Sequence, residues 1–205
     1  MTVIRQNAIQ DELDDQMHIA YCYLTGDGLE KDPNSALLIA TAAADRGSSW
    51  ANYFLGYMYF LGKGIEVNLI ESFKNYKKST TDFPQAYVTI GHMYAEGLGV
   101  KRNAQKAFKN YSIAAARNID YGYFNVAQCY EYGKGTARNI SKAILNYELA
   151  SSRDLLMANT QLARIYLAGE YVEKNERKAI EYLERGSRGG DFVAKITLEC
   201  LYNEK

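Results

Sequence analysis

A tyrosine returns along this chain at Tyr23, Tyr59, Tyr94, Tyr130, Tyr166 and Tyr202, in steps of 36, 35, 36, 36 and 36 residues. A fixed period of this length is the mark of a stacked repeat, and it constrains the fold before any composition is considered. Other columns keep the same phase. Three residues after the first five tyrosines stand Gly26, Gly62, Gly97, Gly133 and Gly169. Two further on stand Gly28, Gly64, Gly99 and Gly135, with Tyr171 in the fifth copy. An apolar or small residue follows (Leu29, Ile65, Val100, Thr136, Val172), and then Asp32, Asn68, Asn103, Asn139 or Asn175. Four residues later comes Ala36, Ser72, Ala107, Ala143 or Ala179.

Each column has a physical reading. The stretch before each tyrosine has helical spacing, as in Phe54, Leu55, Met58 and Tyr59, and defines a helix A. The first glycine ends it, because glycine enters the left-handed cap without steric cost. The second lets the chain reverse. Asp or Asn then caps a helix B by accepting a backbone N–H of its first turn, a cap worth about 1 kcal/mol. The Ala/Ser column lies one turn inside helix B and permits close helix approach. Behind it, Leu37, Phe73, Phe108, Ile144 and Ile180, with Ala40, Tyr76, Tyr111, Tyr147 and Leu183, pack helix B on helix A. Helix B is expected to end in small residues and glycine, as in Ala42 to Gly47 and Glu184 to Gly186. The 35-residue step loses its residue between Ser72 and Ala86, around Pro84, and predicts a shortened helix B or a tighter turn there.

Each unit is therefore a helix–loop–helix that cannot bury both faces alone, so stacking makes a continuous core. The fold class is all-α. The chain divides into repeats at 14–49, 50–84, 85–120, 121–156 and 157–192, with a terminal capping helix over 193–205, in a single domain spanning 1–205. Residues 1 to about 8 read as a lead-in or an extra turn of the first helix.

These residues resemble the Sel1-like repeat family. Its pattern of Ala, Leu-Gly, Tyr, Gly-x-Gly-Val, Asp and Ala is matched by Ala51, Leu55, Gly56, Tyr59, Gly62, Gly64, Ile65, Asn68 and Ser72. The third copy matches with Ala86, Ile90, Gly91, Tyr94, Gly97, Gly99, Val100, Asn103, Ala107, Ala114 and Ala115. The resemblance covers roughly residues 14–202. It implies a right-handed α-solenoid of about five tetratricopeptide-like repeats with the A helices lining the concave side. For function it implies a protein–protein interaction scaffold or adaptor. A cysteine-rich branch of the family bridges its helix pairs with disulfides, and this chain lacks the paired cysteines.

By analogy with tetratricopeptide grooves, the phase of helix A selects partner-facing positions. These are Tyr21 in the first repeat and Trp50, Tyr53, Tyr57 and Phe60 in the second. They continue with His92 in the third, Tyr121, Phe124 and Gln128 in the fourth, and Arg164 in the fifth. The second repeat stands out, with four aromatics including the chain's only Trp. Trp and Tyr dominate binding hot spots. The same aromatics also suit an inter-repeat core, above all Tyr53 and Phe60, whereas Trp50 and Tyr57 fit a core least well. His92 reads as a polar groove residue. Arg164, Gln128 and Glu131 read as holding polar groups of a bound peptide or as solvated surface.

Charge sharpens the exclusions. Lys+Arg and Asp+Glu each total 24, for a net charge of zero, so no strongly basic nucleic-acid surface is expected. Residues 1–36 carry net −5, residues 37–152 net +5, and the rest balance; this asymmetry orients a partner or simply maintains solubility. The most apolar stretch, Ala36 to Ala44, is too short for a bilayer. The N-terminus shows no secretory pattern. Three well-separated cysteines, Cys22, Cys129 and Cys200, read as reduced thiols. A cytoplasmic location, in a bacterial cell by family habit, is the expectation.

The chain has no phosphate-loop motif, no zinc-protease motif, no nucleophile elbow and no calcium loop. The Gly-x-Gly pairs follow helices rather than strands and read as caps. No catalytic residue, metal site or cofactor is expected, and no enzyme. The leading reading is a non-catalytic module that binds a peptide or protein in its concave groove. An immunity protein that neutralises a cognate toxin is an alternative. Self-assembly is another, through a terminal helix exposing Phe192, Val193, Ile196 and Leu201. The sequence leaves homo-oligomerisation open.

Overall fold

The computed structural model describes residues 2–203, with side chains from Asp11 onward. Among these residues are eleven α-helices and no strand. Helix A of successive repeats is α1 (Thr2–Thr25), α3 (Ser49–Leu61), α5 (Ala86–Glu96), α7 (Asp120–Tyr132) and α9 (Leu156–Ala168). Helix B is α2 (Pro33–Asp45), α4 (Leu69–Ser79), α6 (Ala104–Ala116), α8 (Ile140–Ser151) and α10 (Glu176–Arg188). The final helix A is α11 (Phe192–Asn203). The lead-in residues from Thr2 onward belong to α1.

The capping columns behave as their chemistry requires. Gly62, Gly97, Gly133 and Gly169 end their A helices at φ +62° to +78°. Side-chain oxygens of Asp32, Asn68, Asn103, Asn139 and Asn175 accept amides from the first turn of helix B. A further bond ties two columns together. The amide of each capping residue donates to the carbonyl of the repeat tyrosine: Asp32 to Tyr23 (2.9 Å), Asn68 to Tyr59 (3.0 Å), Asn103 to Tyr94 (2.8 Å), Asn139 to Tyr130 (2.8 Å) and Asn175 to Tyr166 (3.0 Å). Each loop is thus a closed ring that satisfies an otherwise orphaned helix-end carbonyl.

The second glycine does more than turn the chain. A Cβ on Gly64 would lie 2.6 Å from the carbonyl oxygen of Pro33, at the start of the preceding helix B. Gly28, in the same column of the first repeat, has nothing within 4 Å.

Between helix B and the next helix A, one left-handed residue recurs: Gly47 (φ +94°), Asn118 (φ +60°), Asp154 (φ +61°) and Gly190 (φ +94°). The amide of the residue after each closes the turn onto helix B, as Ser48 does to Ala43 (3.0 Å) and Ile119 to Ala114 (3.1 Å). At Pro84 this device is missing. There α4 and α5 are each 11 residues long, against 12 or 13 for α2, α3 and α6 to α10. One expectation needs correcting: helix B of the fifth repeat does not end at Gly186. It runs on to Arg188, and Gly186 is buried where α11 crosses, so that a Cβ there would meet Ala194 at 2.9 Å.

The chain forms two compact units, Met1–Ala107 and Phe108–Lys205. In the first, Leu13, Met17, Ala20 and Leu24 of α1 bury against Ala36, Ala40 and Ala43 of α2 and against Phe54, Leu55 and Met58 of α3. A second cluster joins Tyr76 to Ala86, Ile90 and Met93. In the second unit, Phe124, Ala127, Tyr147, Leu162 and Ile165 form one cluster, and Ala163, Leu183, Ala194 and Leu198 another. The Ala/Ser column is buried throughout. At its one serine, the Ser72 hydroxyl donates to the Gly56 carbonyl (2.8 Å), so the polar atom is not orphaned.

Candidate partner-binding site

In the first unit, α3 begins at a Ser48 cap and carries Trp50, Tyr53 and Tyr57 on one face, one helical turn apart. The last turns of α1 bring Tyr21, Leu24 and Thr25 opposite them. Together they line a cleft of about 510 Å³, with Phe54 at its floor and Lys31 and Lys63 from the two loops at one end. Leu24 and Phe54 are buried, whereas Tyr21 and Tyr57 are 50% and 40% exposed.

The walls are held by their neighbours. Trp50 meets His18 edge to face at 4.6 Å and packs on the first core cluster. Tyr53 stacks on Phe83 at 5.3 Å and stands edge-on to Tyr76 at 5.4 Å. Burial raises the Tyr53 phenol above its ordinary pKa. Trp50 and Tyr53 therefore serve core and cleft at once. Phe60 turns the other way, onto the cluster of Tyr76, Ile90 and Met93, and lines no part of the cleft. His92 is exposed on α5, also outside the cleft.

The second unit distributes its residues differently. Tyr121 is exposed and Gln128 is half-buried. Phe124 is a core residue, edge-on to Tyr147 at 5.5 Å, and offers no surface to a partner. Arg164 pairs with the buried Glu131 carboxylate of the preceding helix A. Glu131 also accepts the Tyr147 hydroxyl (2.7 Å). Burial, together with that carboxylate, pushes the Tyr147 phenol far above its ordinary range. Periodicity alone brought Arg164 and Glu131 to the same face but gave no sign that each takes the other as partner. A second cleft, of about 470 Å³, opens beside Arg164, with Thr160, Leu167, Leu183, Val193 and Thr197 in its lining.

Phe192, Val193 and Ile196 are exposed on α11, but Leu201 is half-buried against the last core cluster, contrary to the expectation from its spacing. The cysteines are free thiols: Cys129 is buried, Cys22 half-buried and Cys200 exposed. Among the described residues no group of three or more His, Cys, Asp or Glu could hold a metal ion. No helix among them is long and apolar enough to cross a membrane.

No curated protein matches this chain. Solved structures do. A Sel1 repeat protein from Oxalobacter formigenes is 26% identical, with a TM-score of 0.85 over 94% of this chain and 77% of that one. The c5321 protein of uropathogenic Escherichia coli, a protective antigen with an SLR fold, is 22% identical, with a TM-score of 0.82 over 93% of this chain and 41% of its own length. Immunity protein Pa5087 from Pseudomonas aeruginosa is 22% identical, with a TM-score of 0.59 over 89% of this chain and 68% of that one. The Sel1 repeat model matches residues 14–48, 51–81, 84–119, 120–155 and 156–191, covering most of the sequence, and the chain belongs to the Sel1 repeat family.

Proposed function

We propose that this protein is a non-catalytic interaction module that binds a protein or peptide partner on its helix-A face, with the cleft between α1 and α3 as the principal contact. Sel1 repeats typically mediate protein–protein interaction. The observation that carries the reading is the cleft itself. Tyr21 of α1 faces Trp50, Tyr53 and Tyr57 of α3 across an apolar floor, and Tyr21 and Tyr57 are half-exposed. Aromatic walls with a polar tip provide large contact area at low entropic cost. Arg164 keeps a secondary role, since its guanidinium is already engaged by Glu131.

A bacterial cytoplasm is the setting we favour. The similar proteins named above come from bacteria, and the three cysteines stand as free thiols. The immunity reading rests on a shared fold with one such protein.

The test is affinity capture from the native cell's lysate, with wild type against Tyr21→Ala/Tyr57→Ala, read by mass spectrometry. A protein captured by wild type and lost in the folded variant is the expected result. Identical captures by both would move the site off the cleft. A captured enzyme that the purified chain inhibits would favour the immunity reading.

A further inference from the structure

The cleft between α1 and α3 has a one-sided charge. Its lining is aromatic and aliphatic apart from Thr25, Lys31 and Lys63. Thr25 is internally occupied, its hydroxyl donating to the Tyr21 carbonyl at 2.9 Å. No carboxylate lines the cleft. Asp27, Glu30 and Glu66 are exposed in the same two loops but do not line the cleft, and Asp32 is taken up in capping α2. Neither Lys31 nor Lys63 forms an ion pair with any described residue.

The two ammonium groups come from loops that the fold holds at the same end of the cleft. Lys31 is the residue before the α2 cap, and its stem lies on the Gly26 turn, 3.5 Å from where a Cβ would stand. Lys63 sits between the two loop glycines of the second repeat. A neutral occupant would cover these ammoniums without giving them a partner, which costs free energy. A basic occupant would add like charge. A carboxylate beside an apolar side chain satisfies both halves of the cleft, and a charge-assisted bond is stronger than a neutral one.

We infer that the cleft takes an acidic, apolar peptide segment, in which an aromatic or aliphatic side chain enters between Tyr21, Trp50 and Tyr57 and a neighbouring carboxylate meets Lys31 and Lys63. This rests on the reading of the cleft as a partner site and adds the chemistry of the partner. Trp50 and Tyr53 are held in advance by His18, Tyr76 and Phe83, so that part of the wall needs little ordering on binding.

The experiment is selection of a phage-displayed random peptide library on the full chain, repeated on Tyr21→Ala/Tyr57→Ala and on Lys31→Glu/Lys63→Glu. Trp50, the only Trp, reports occupancy by its emission. Peptides dependent on Tyr21 and Tyr57 are expected to carry Asp or Glu beside an aromatic or aliphatic residue. They should lose about tenfold in affinity on charge reversal and weaken with salt. Both lysines are exposed, so the reversed variant should melt like wild type. Tyrosine-dependent peptides that are neutral or basic, or indifferent to charge reversal, overturn the carboxylate assignment and leave the cleft as a partner site. If no selected peptide depends on the tyrosines, the cleft reading itself fails.

Discussion

Gly99 presses its backbone so closely against Leu69, the first residue of the preceding helix B, that a Cβ would stand 2.1 Å from the Leu69 carbonyl oxygen. Its φ of +67° is also one that side chains rarely adopt. Gly99→Ala should therefore combine a backbone clash with left-handed strain and cost about 3 kcal/mol. Gly28→Ala has the same φ sign but open space around it and should cost about 1 kcal/mol. Thermal melts of the two variants should separate accordingly. Equal losses would show that conformation alone, and not contact with the preceding repeat, keeps this column glycine.

Glu131 and Tyr147 form a buried polar contact in the second unit, at 2.7 Å. Tyr147→Phe leaves a buried carboxylate short of a donor and should destabilise by about 2 kcal/mol. Against Glu131→Ala, a double-mutant cycle should give a coupling above roughly 0.5 kcal/mol. Additive losses would mean that the two side chains act independently. Arg164→Ala takes the cation from the same buried carboxylate and should cost at least as much, about 2 kcal/mol.

The acid limb of stability has a local source at Asp32. Its carboxyl is held below the ordinary value by the Ser35 hydroxyl and then the Ser35 amide. A depressed carboxylate stabilises the fold above its unfolded pKa, and that contribution vanishes as pH falls through the folded value. Asp32→Asn keeps a capping oxygen but does not titrate. It should flatten the fall of melting temperature at acid pH, read by circular dichroism across that range. Unchanged pH dependence would place the titration elsewhere.

Thiol labelling should be site-selective. Burial pushes the Cys129 thiol up to about 11, so little thiolate forms near neutral pH and access is closed as well. Cys200 is exposed. An aromatic disulfide reagent should modify Cys200 first and Cys129 only on unfolding, as peptide mapping would show. Early labelling of Cys129 would indicate that α7 opens in the native state.

Much of the fold was legible because the repeat fixes backbone events to residue types. Asn and Asp cap, glycine ends helices, and Ala or Ser lies beneath the helix crossing. The helix B to helix A turn was not legible. Its left-handed position is filled by Gly47, Asn118, Asp154 and Gly190, three residue types for one conformation, so no column stands out. At the candidate site, the phase of helix A placed Tyr21, Trp50, Tyr53 and Tyr57 together, and the cleft lining unites them. Phase could not say which neighbour each side chain meets. Phe124 and Phe60 share the helical register of surface residues, yet Tyr147 and the cluster around Ile90 cover them. Lys31 and Lys63 lie in loops, where helical phase carries no information about which side chains meet.

The ring that closes each loop, from tyrosine carbonyl to capping amide, keeps a step of nine residues in every repeat: Tyr23 to Asp32, Tyr59 to Asn68, Tyr94 to Asn103, Tyr130 to Asn139 and Tyr166 to Asn175. An inserted or deleted residue there would break the bond and misplace the cap together. The one residue this chain has dropped fell instead near Pro84, at the opposite end of the helix pair, where α4 and α5 absorb the loss by being shorter. One end of each helix pair is therefore a closed frame, and the other is where the chain can change length and where grafted segments should be accommodated.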